Sequence, residues 1–176
     1  MTHAHAINET DISGDYELDA AHSRLGFAVK HAMVTTVRGQ FKSFRGQVHI
    51  DAQDPAKSSA GVEIDVDSIS TGNDQRDAHL RTADFFEADK FPKMTFVSTH
   101  AERVKDDEYR MEGDLTVRGV THVISFDLTY TGSALDPMGN FRAGFESTAT
   151  ISRKDFGLHY NAQMDDGGWL IGDRVK

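Results

Sequence analysis

Apolar and polar residues alternate with period two along most of this chain, and that alternation dictates strands that bury one face. Leu25, Phe27 and Val29 share a face, and His31 falls on it too. Val62, Ile64 and Val66 alternate with Glu63, Asp65 and Asp67. The later runs place His122, Ile124, Phe126, Leu128 and Tyr130 on one face, then Phe141, Ala143, Phe145, Ser147, Ala149 and Ile151 on one face. Between Val37, Gly39, Phe41 and Phe44, Gly46, Val48, Ile50 the parity flips. A strand keeps one face buried across such a flip only by absorbing one residue, so a β-bulge is expected near Lys42–Ser43. Bulges and strand glycines let a sheet bend, and a bent sheet can close on itself.

The alternation breaks over "TGNDQRDAHLRTADFFEADKFP". Asn73 is a good N-cap with Asp74 behind it, which predicts a short helix to about Thr82. Asp84 is expected to cap a second turn holding Phe85 and Phe86. Phe91 precedes Pro92, so the chain must become extended there. Strands then resume, with turns at "KDDE", Arg118–Gly119 and "DPMGN", and "FGLHY" and "GGWLIGDRVK" close the chain. About eight strands joined by short turns, with one helical interlude, is the pattern of an antiparallel sandwich or up-and-down barrel.

Charge narrows the function classes. A net charge of -9 argues against a nucleic-acid binder and against electrostatic docking on an anionic leaflet. With no cysteine there are no disulfides and no thiolate metal ligands. The first 16 residues have neither a basic segment nor an apolar one, so no secretory signal is expected, and the expected location is the cytoplasm. Residues 1–13 are polar and aperiodic and are expected to form a disordered tail, with His3 and His5 as adventitious metal binders at most. Residues 14–176 then form one domain.

Several side chains invite a chemical reading. Asp77 and His79 resemble an acid/base or metal pair, needing a third ligand such as His100 or His122. The competing expectation is structural, with Asp77 ordering Arg76 or Arg81 and His79 packing the helix against a rim. Arg76, Arg81 and Arg118 are candidate phosphate contacts. Ser23 beside His22 lacks a nucleophile elbow. The acids Glu63, Asp65 and Asp67 sit on an outward face and read as solvated. Trp169 is a candidate neighbour of the lining.

The runs "DAAHSRLGFAVKHAMVTTVRGQFKSFRG", "DQRDAHLRTADFFEADKFPKMTF", "GDLTVRGVTHVISF", "AGFESTATISRKDFGL" and "IGDRVK" resemble the YceI-like, or polyisoprenoid-binding, family from about Tyr16 to Lys176. The resemblance implies an all-β fold, an extended eight-stranded antiparallel lipocalin-like barrel with a short helical insertion at about 73–90. Its long apolar pore would hold the tail of an amphiphile, a polyisoprenoid or isoprenoid quinone-like lipid. It further implies a carrier without catalysis or cofactor, and pairing into homodimers. A membrane solvates such a tail almost as well as a pore does, so transient contact with membranes is expected. The expected lining is Phe27, Val29, His31, Phe41, Phe44, Val48 and Leu80, with Phe85, Phe86, Phe91, Phe96, Leu115, Phe126 and Phe145. Small inward residues, Gly39, Gly46, Ala143, Ser147 and Ala149, would free volume that a close-packed core does not need. Two other readings compete: a metal-assisted enzyme using His31, Asp77 and His79, and a stress-related scaffold whose pore is incidental.

Overall fold

The structure is a computed structural model and describes residues 11–176. The expected tail therefore lies mostly outside the described residues, His3 and His5 included. The ordered chain reaches back past Gly14: Ile12 is buried, and Ser13 Oγ accepts the Ala52 N–H at 3.0 Å.

Twelve strand segments form in chain order: β1 Gly14–Glu17, β2 Leu25–His31, β3 Thr35–Phe41, β4 Phe44–Ile50, β5 Ser59–Asp65, β6 Ile69–Ser70, β7 Lys93–Lys105, β8 Glu108–Val117, β9 Val120–Leu135, β10 Phe141–Thr148, β11 Ile151–Ser152 and β12 Ile171–Val175. One helix, α1 (Asp74–Leu80), lies between β6 and β7. The segments make a seven-stranded sheet, β1-β4-β5-β7-β8-β9-β10, and a five-stranded sheet, β11-β12-β2-β3-β6.

All pairings are antiparallel, and the twelve segments fall in eight runs of chain. The first run (β1 and β2) pairs with the second (β3 and β4), and the second with the third (β5 and β6). Nearest neighbours then pair through β7, β8, β9 and β10. β11 pairs with β12, and β12 returns to β2, where Ile171 faces His31. The ring of runs closes at this end, as an up-and-down barrel requires.

The expected bulge at Lys42–Ser43 is instead the corner where the chain leaves one sheet for the other. Lys42 N–H donates to Ser68 O at 3.2 Å, and Ser43 O accepts from Asp65 N at 3.0 Å, so pairing resumes on the far side. The corner resets parity as a bulge would, and Phe41 and Phe44 both face the same apolar cluster. True register shifts lie elsewhere, between Ser98 and His100, Arg103 and Lys105, Gly144 and Phe145, and Ile171 and Val175. The Arg118–Gly119 turn has φ of 49° and 72°, the left-handed pair that a two-residue hairpin needs to match strand twist.

Asn73 caps α1, accepting the Arg76 N–H at 2.9 Å. Beyond Arg81 the insertion is built of turns, with Phe86 N–H on Leu80 O and Ala88 N–H on Arg81 O. Asp84 caps nothing there, because its carboxylate takes His79 Nε2 at 2.7 Å. "FGLHY" is likewise not a strand. Arg153–Phe156 makes one 3-10 turn ended by Gly157 at φ 79°. The buried Arg153 guanidinium then gathers the carbonyls of Leu158 (2.6 Å), Tyr160 (2.8 Å) and Gly172 (2.9 Å). Burial pushes its pKa below the usual arginine value, and Asp173 opposes that shift. Carbonyls bound to a guanidinium are satisfied without a ladder, so this segment loops.

Two tests follow from these anchors. Arg153→Met leaves three carbonyls, one buried and two partly so, without their donor and should lower stability to urea by about 2–4 kcal/mol, with Arg153→Lys a poor rescue because an ammonium cannot span the set. Asp136, at the β9–β10 hairpin, accepts the backbone N–H groups of Asn140 and Met138, which hold its carboxyl down to about 2. A depressed carboxyl stabilises above its ordinary range and loses that contribution as pH falls through the folded value. A carboxyl NMR titration should therefore place Asp136 near 2; an ordinary midpoint would mean the hairpin is open in solution.

Candidate functional site: an apolar trough beside a plugged end

Inward-facing residues divide into two clusters. The first packs buried Phe41, Ile64, Val66, Ile69, Phe85, Met94, Val117, Phe156 and Leu158 under α1 and its following turns. Phe27 and Phe41 meet at 5.6 Å between ring centroids, and Phe41 meets Phe86 edge-on at 6.0 Å. This end of the barrel is a plug of side chains. The second cluster has Phe96, Ala101 and Met111 buried, with Ala60, Val62, Leu115, Ile124, Phe126 and Leu128 half-buried around them.

Beyond the second cluster the inward face stays open. Tyr130 and Phe145 sit opposite each other, rings 5.5 Å apart, and Phe145 is 39% exposed. Tyr16 and Phe141 approach to 6.5 Å, with Phe141 40% exposed. Val48, Ile124, Phe126 and Leu128 share this face and are only half-buried. A curled sheet carrying large apolar residues on an uncovered concave face forms a trough, and an apolar surface of that kind marks a place for an apolar occupant.

The expected lining residues distribute unevenly over these two halves. Phe27, Phe41, Phe44, Leu80, Phe85 and Phe86 belong to the plug. Phe96 and Phe126 belong to the trough, Leu115 touches both, and Phe145 and Val48 stand on the open wall. Val29 and His31 are half-buried near the β2–β3 turn, outside both clusters. Phe91 lies over the Arg118–Gly119 hairpin, where a Cβ on Gly119 would come within 2.8 Å of its ring. Tyr16, Tyr130, Leu128, Met111 and Phe141 are trough residues beyond the expected lining. Cross-strand register is the signal that finds them, since each faces an apolar or aromatic partner: Tyr16 faces Val48, Met111 faces Phe126, Leu128 faces Tyr109, Tyr130 faces Phe145 and Phe141 faces Leu135.

The inward glycines do not free pore volume. The Phe27 ring occupies the space a Cβ on Gly39 would take, and Leu18 and the Gly61 carbonyl fill that beside Gly46. These glycines admit neighbours to close packing instead, in the way an aromatic ring covers a strand glycine.

The chemistry-like residues are engaged structurally. Asp77 is 6% exposed, and its Oδ1 accepts the Thr71 N–H at 2.9 Å and the Thr71 hydroxyl at 2.5 Å. Asp77 therefore orders Thr71 and not an arginine; Arg76 itself donates to Thr71 Oγ1 and O. His79 bonds Asp84 and stacks edge-on against Phe85 and Tyr160, both at 5.0 Å. Arg81 donates to the Asp67 and Ile69 carbonyls, and Arg118 to Gly157 O and Glu87. His100 lies 3.7 Å from Glu102, and the His122 ring packs on Phe156. Among the described residues no three His, Asp or Glu side chains converge as a metal site. His22 Nδ1 pairs with Asp19 at 2.7 Å. Trp169 is exposed, on the turn bridged by Gln163.

Outward, Glu63 and Asp65 are not merely solvated, because they pair with Arg45 and Lys93 across β4, β5 and β7. Hydrogen bonds from Lys93 and Ser43 hold the Asp65 carboxyl below its ordinary value. A shallow groove of about 400 Å³ lies where β9 loses its partner β10, lined by His122, Val123, Ser125, Thr150, Asp155 and Asp173.

The YceI-like domain family matches residues 16–176. A UPF0312 protein of Staphylococcus aureus is 37% identical over 163 residues, covering 92% of each chain. Among solved structures, BcnA of Burkholderia cenocepacia superposes with a TM-score of 0.78 at 26% identity, over 89% of this chain and 93% of that one. A polyisoprenoid-binding domain from Saccharophagus degradans, implicated in plant cell wall breakdown, shares the fold with a TM-score of 0.65 at 18% identity, over 93% of each chain. The half-open barrel with its plugged end is thus one instance of a shared architecture, and this chain belongs to the YceI-like family.

Proposed function

We propose that this protein binds one long-chain amphiphile, of the isoprenoid class, with its apolar tail in the trough, and carries it without chemical change. The observation that carries the reading is the concave face that runs from half-buried Phe126 and Leu128 of the second cluster out to Tyr130 and the exposed Phe145. An occupant there removes both surfaces from water. Each buried methylene is worth about 0.8 kcal/mol against water, so one five-carbon prenyl unit gains about 3–4 kcal/mol. A bilayer solvates the tail almost as well, so selectivity rests on the fit to the trough and on exchange with membranes.

The polyisoprenoid-binding domain of the same fold supports this ligand class. Binding rather than turnover is also the better use of the side chains. Asp77 is committed to Thr71 and His79 to Asp84, which takes up two of the three residues of a metal-assisted reaction through His31, Asp77 and His79.

Organic extraction and mass spectrometry of protein purified without detergent should yield a discrete long-chain lipid near one per chain. Phe145→Glu sets a carboxylate on the trough wall at a site exposed enough to spare the fold. It should weaken binding at least about tenfold, since the charge must stay solvated. Lipid-free wild-type protein that also fails to take up a pyrene-labelled geranylgeranyl chain would overturn the carrier reading.

A further inference from the structure

Resting on the lipid-binding reading of the trough, we propose that the seam between β1 and β10 is a lateral portal for the apolar tail, with Arg142 as its latch. β1 is hydrogen-bonded only to β4, and β10 only to β9. The run that joins these two sides, β12, spans only Ile171–Val175 and pairs higher up, with β2 and β11. Below it two strand edges face each other without a ladder.

Two side-chain contacts cross that gap. The Arg142 guanidinium pairs with the Asp19 carboxylate, and the Tyr16 and Phe141 rings meet at 6.5 Å. The latch is aimed in advance. Asp136 Oδ1 takes the Met138 and Asn140 N–H groups, while its Oδ2 takes Arg142 Nε at 2.9 Å, which points the rest of the guanidinium across the seam. On the far side, Asp19 is held by the Ala21 N–H at 3.1 Å and by His22.

Energetics make this the yielding boundary. Separating two paired strands breaks a row of backbone hydrogen bonds, whereas Arg142 is half-exposed, and an exposed ion pair is a weak fastener. Two other edges lack a ladder, and both lead to the plug: where β9 passes β11, His122 packs on buried Phe156, and the free edge of β6 is covered by α1, with Arg81 on the Ile69 carbonyl and Asp77 on Thr71. Behind the β1–β10 seam lie Tyr16, Tyr130, Phe141 and Phe145. A tail entering sideways meets this aromatic wall along its whole length and need not thread end-on.

The chain has no cysteine, so paired labels can be placed at will. Spin labels at Glu17→Cys and Glu146→Cys, on the two edges, should report a narrow distance distribution that broadens on Arg142→Ala and narrows again on Arg142→Lys. Uptake of a pyrene-labelled geranylgeranyl chain from phosphatidylcholine vesicles should quicken about fivefold in Arg142→Ala, the factor set by an exposed ion pair at the top of its range, with little change in affinity. A short bismaleimide joining the same two cysteines should slow uptake. Uptake that is indifferent to both the latch and the staple would overturn the portal and point to end-on loading. Should wild-type protein take up no probe, the carrier reading falls by itself. The latch is then decided by the spin labels, and an unchanged distribution in Arg142→Ala sinks it.

Discussion

The barrel closes because one buried guanidinium gathers the carbonyls of a segment that has no ladder of its own. Arg153 follows β11 directly and binds Leu158, Tyr160 and Gly172, so the loop folds back and delivers Ile171 to His31. A buried charge is costly unless its donors are used, and here Asp173 adds an opposite charge nearby. Without that cluster the seven-stranded sheet could still form, but the first and last runs would have nothing to join them. The plug depends on the same anchor, since Phe156 and Leu158 flank the loop and are among its most buried residues.

Closure at one end and an open seam at the other divide the molecule into a rigid half and a receptive half. In the plug, α1 and its turns are tied down by Asp77 on Thr71, Arg81 on backbone carbonyls and Arg118 on Gly157. In the trough, the same strands continue with their inward face uncovered. A single set of long strands thus serves both purposes, and register shifts at Ser98–His100 and Gly144–Phe145 let those strands curl around the space.

Much of this was legible in the sequence, because alternation reports directly on which side chains share a face. The faces of β2, β4 and β9, the N-cap at Asn73 and the turn at Arg118–Gly119 all follow from local rules. What local rules miss is who occupies the space beside a residue. Gly39 and Gly46 look like vacancies until Phe27 and Leu18 are placed against them. Lys42–Ser43 looks like a bulge because parity alone does not distinguish an inserted residue from a change of sheet. Arg153 in "ISRKDF" carries no periodic signal at all; its role exists only once the carbonyls of Leu158, Tyr160 and Gly172 have been brought around it. The split of the aromatic residues between plug and trough is equally a product of tertiary packing, since Phe85 and Phe145 are the same residue type in segments of similar hydropathy.

The pairing scheme has a consequence for how the chain reaches this state. Every run pairs with a neighbour in sequence, β12 with β11 included, and only the return of β12 to β2 joins runs far apart in the chain. The Ile171–His31 pairing spans nearly the whole chain and carries the largest closure entropy. It is the pairing that the rest of the barrel must prepare, so the Arg153 cluster beside it acts on a chain whose other strands already lie side by side.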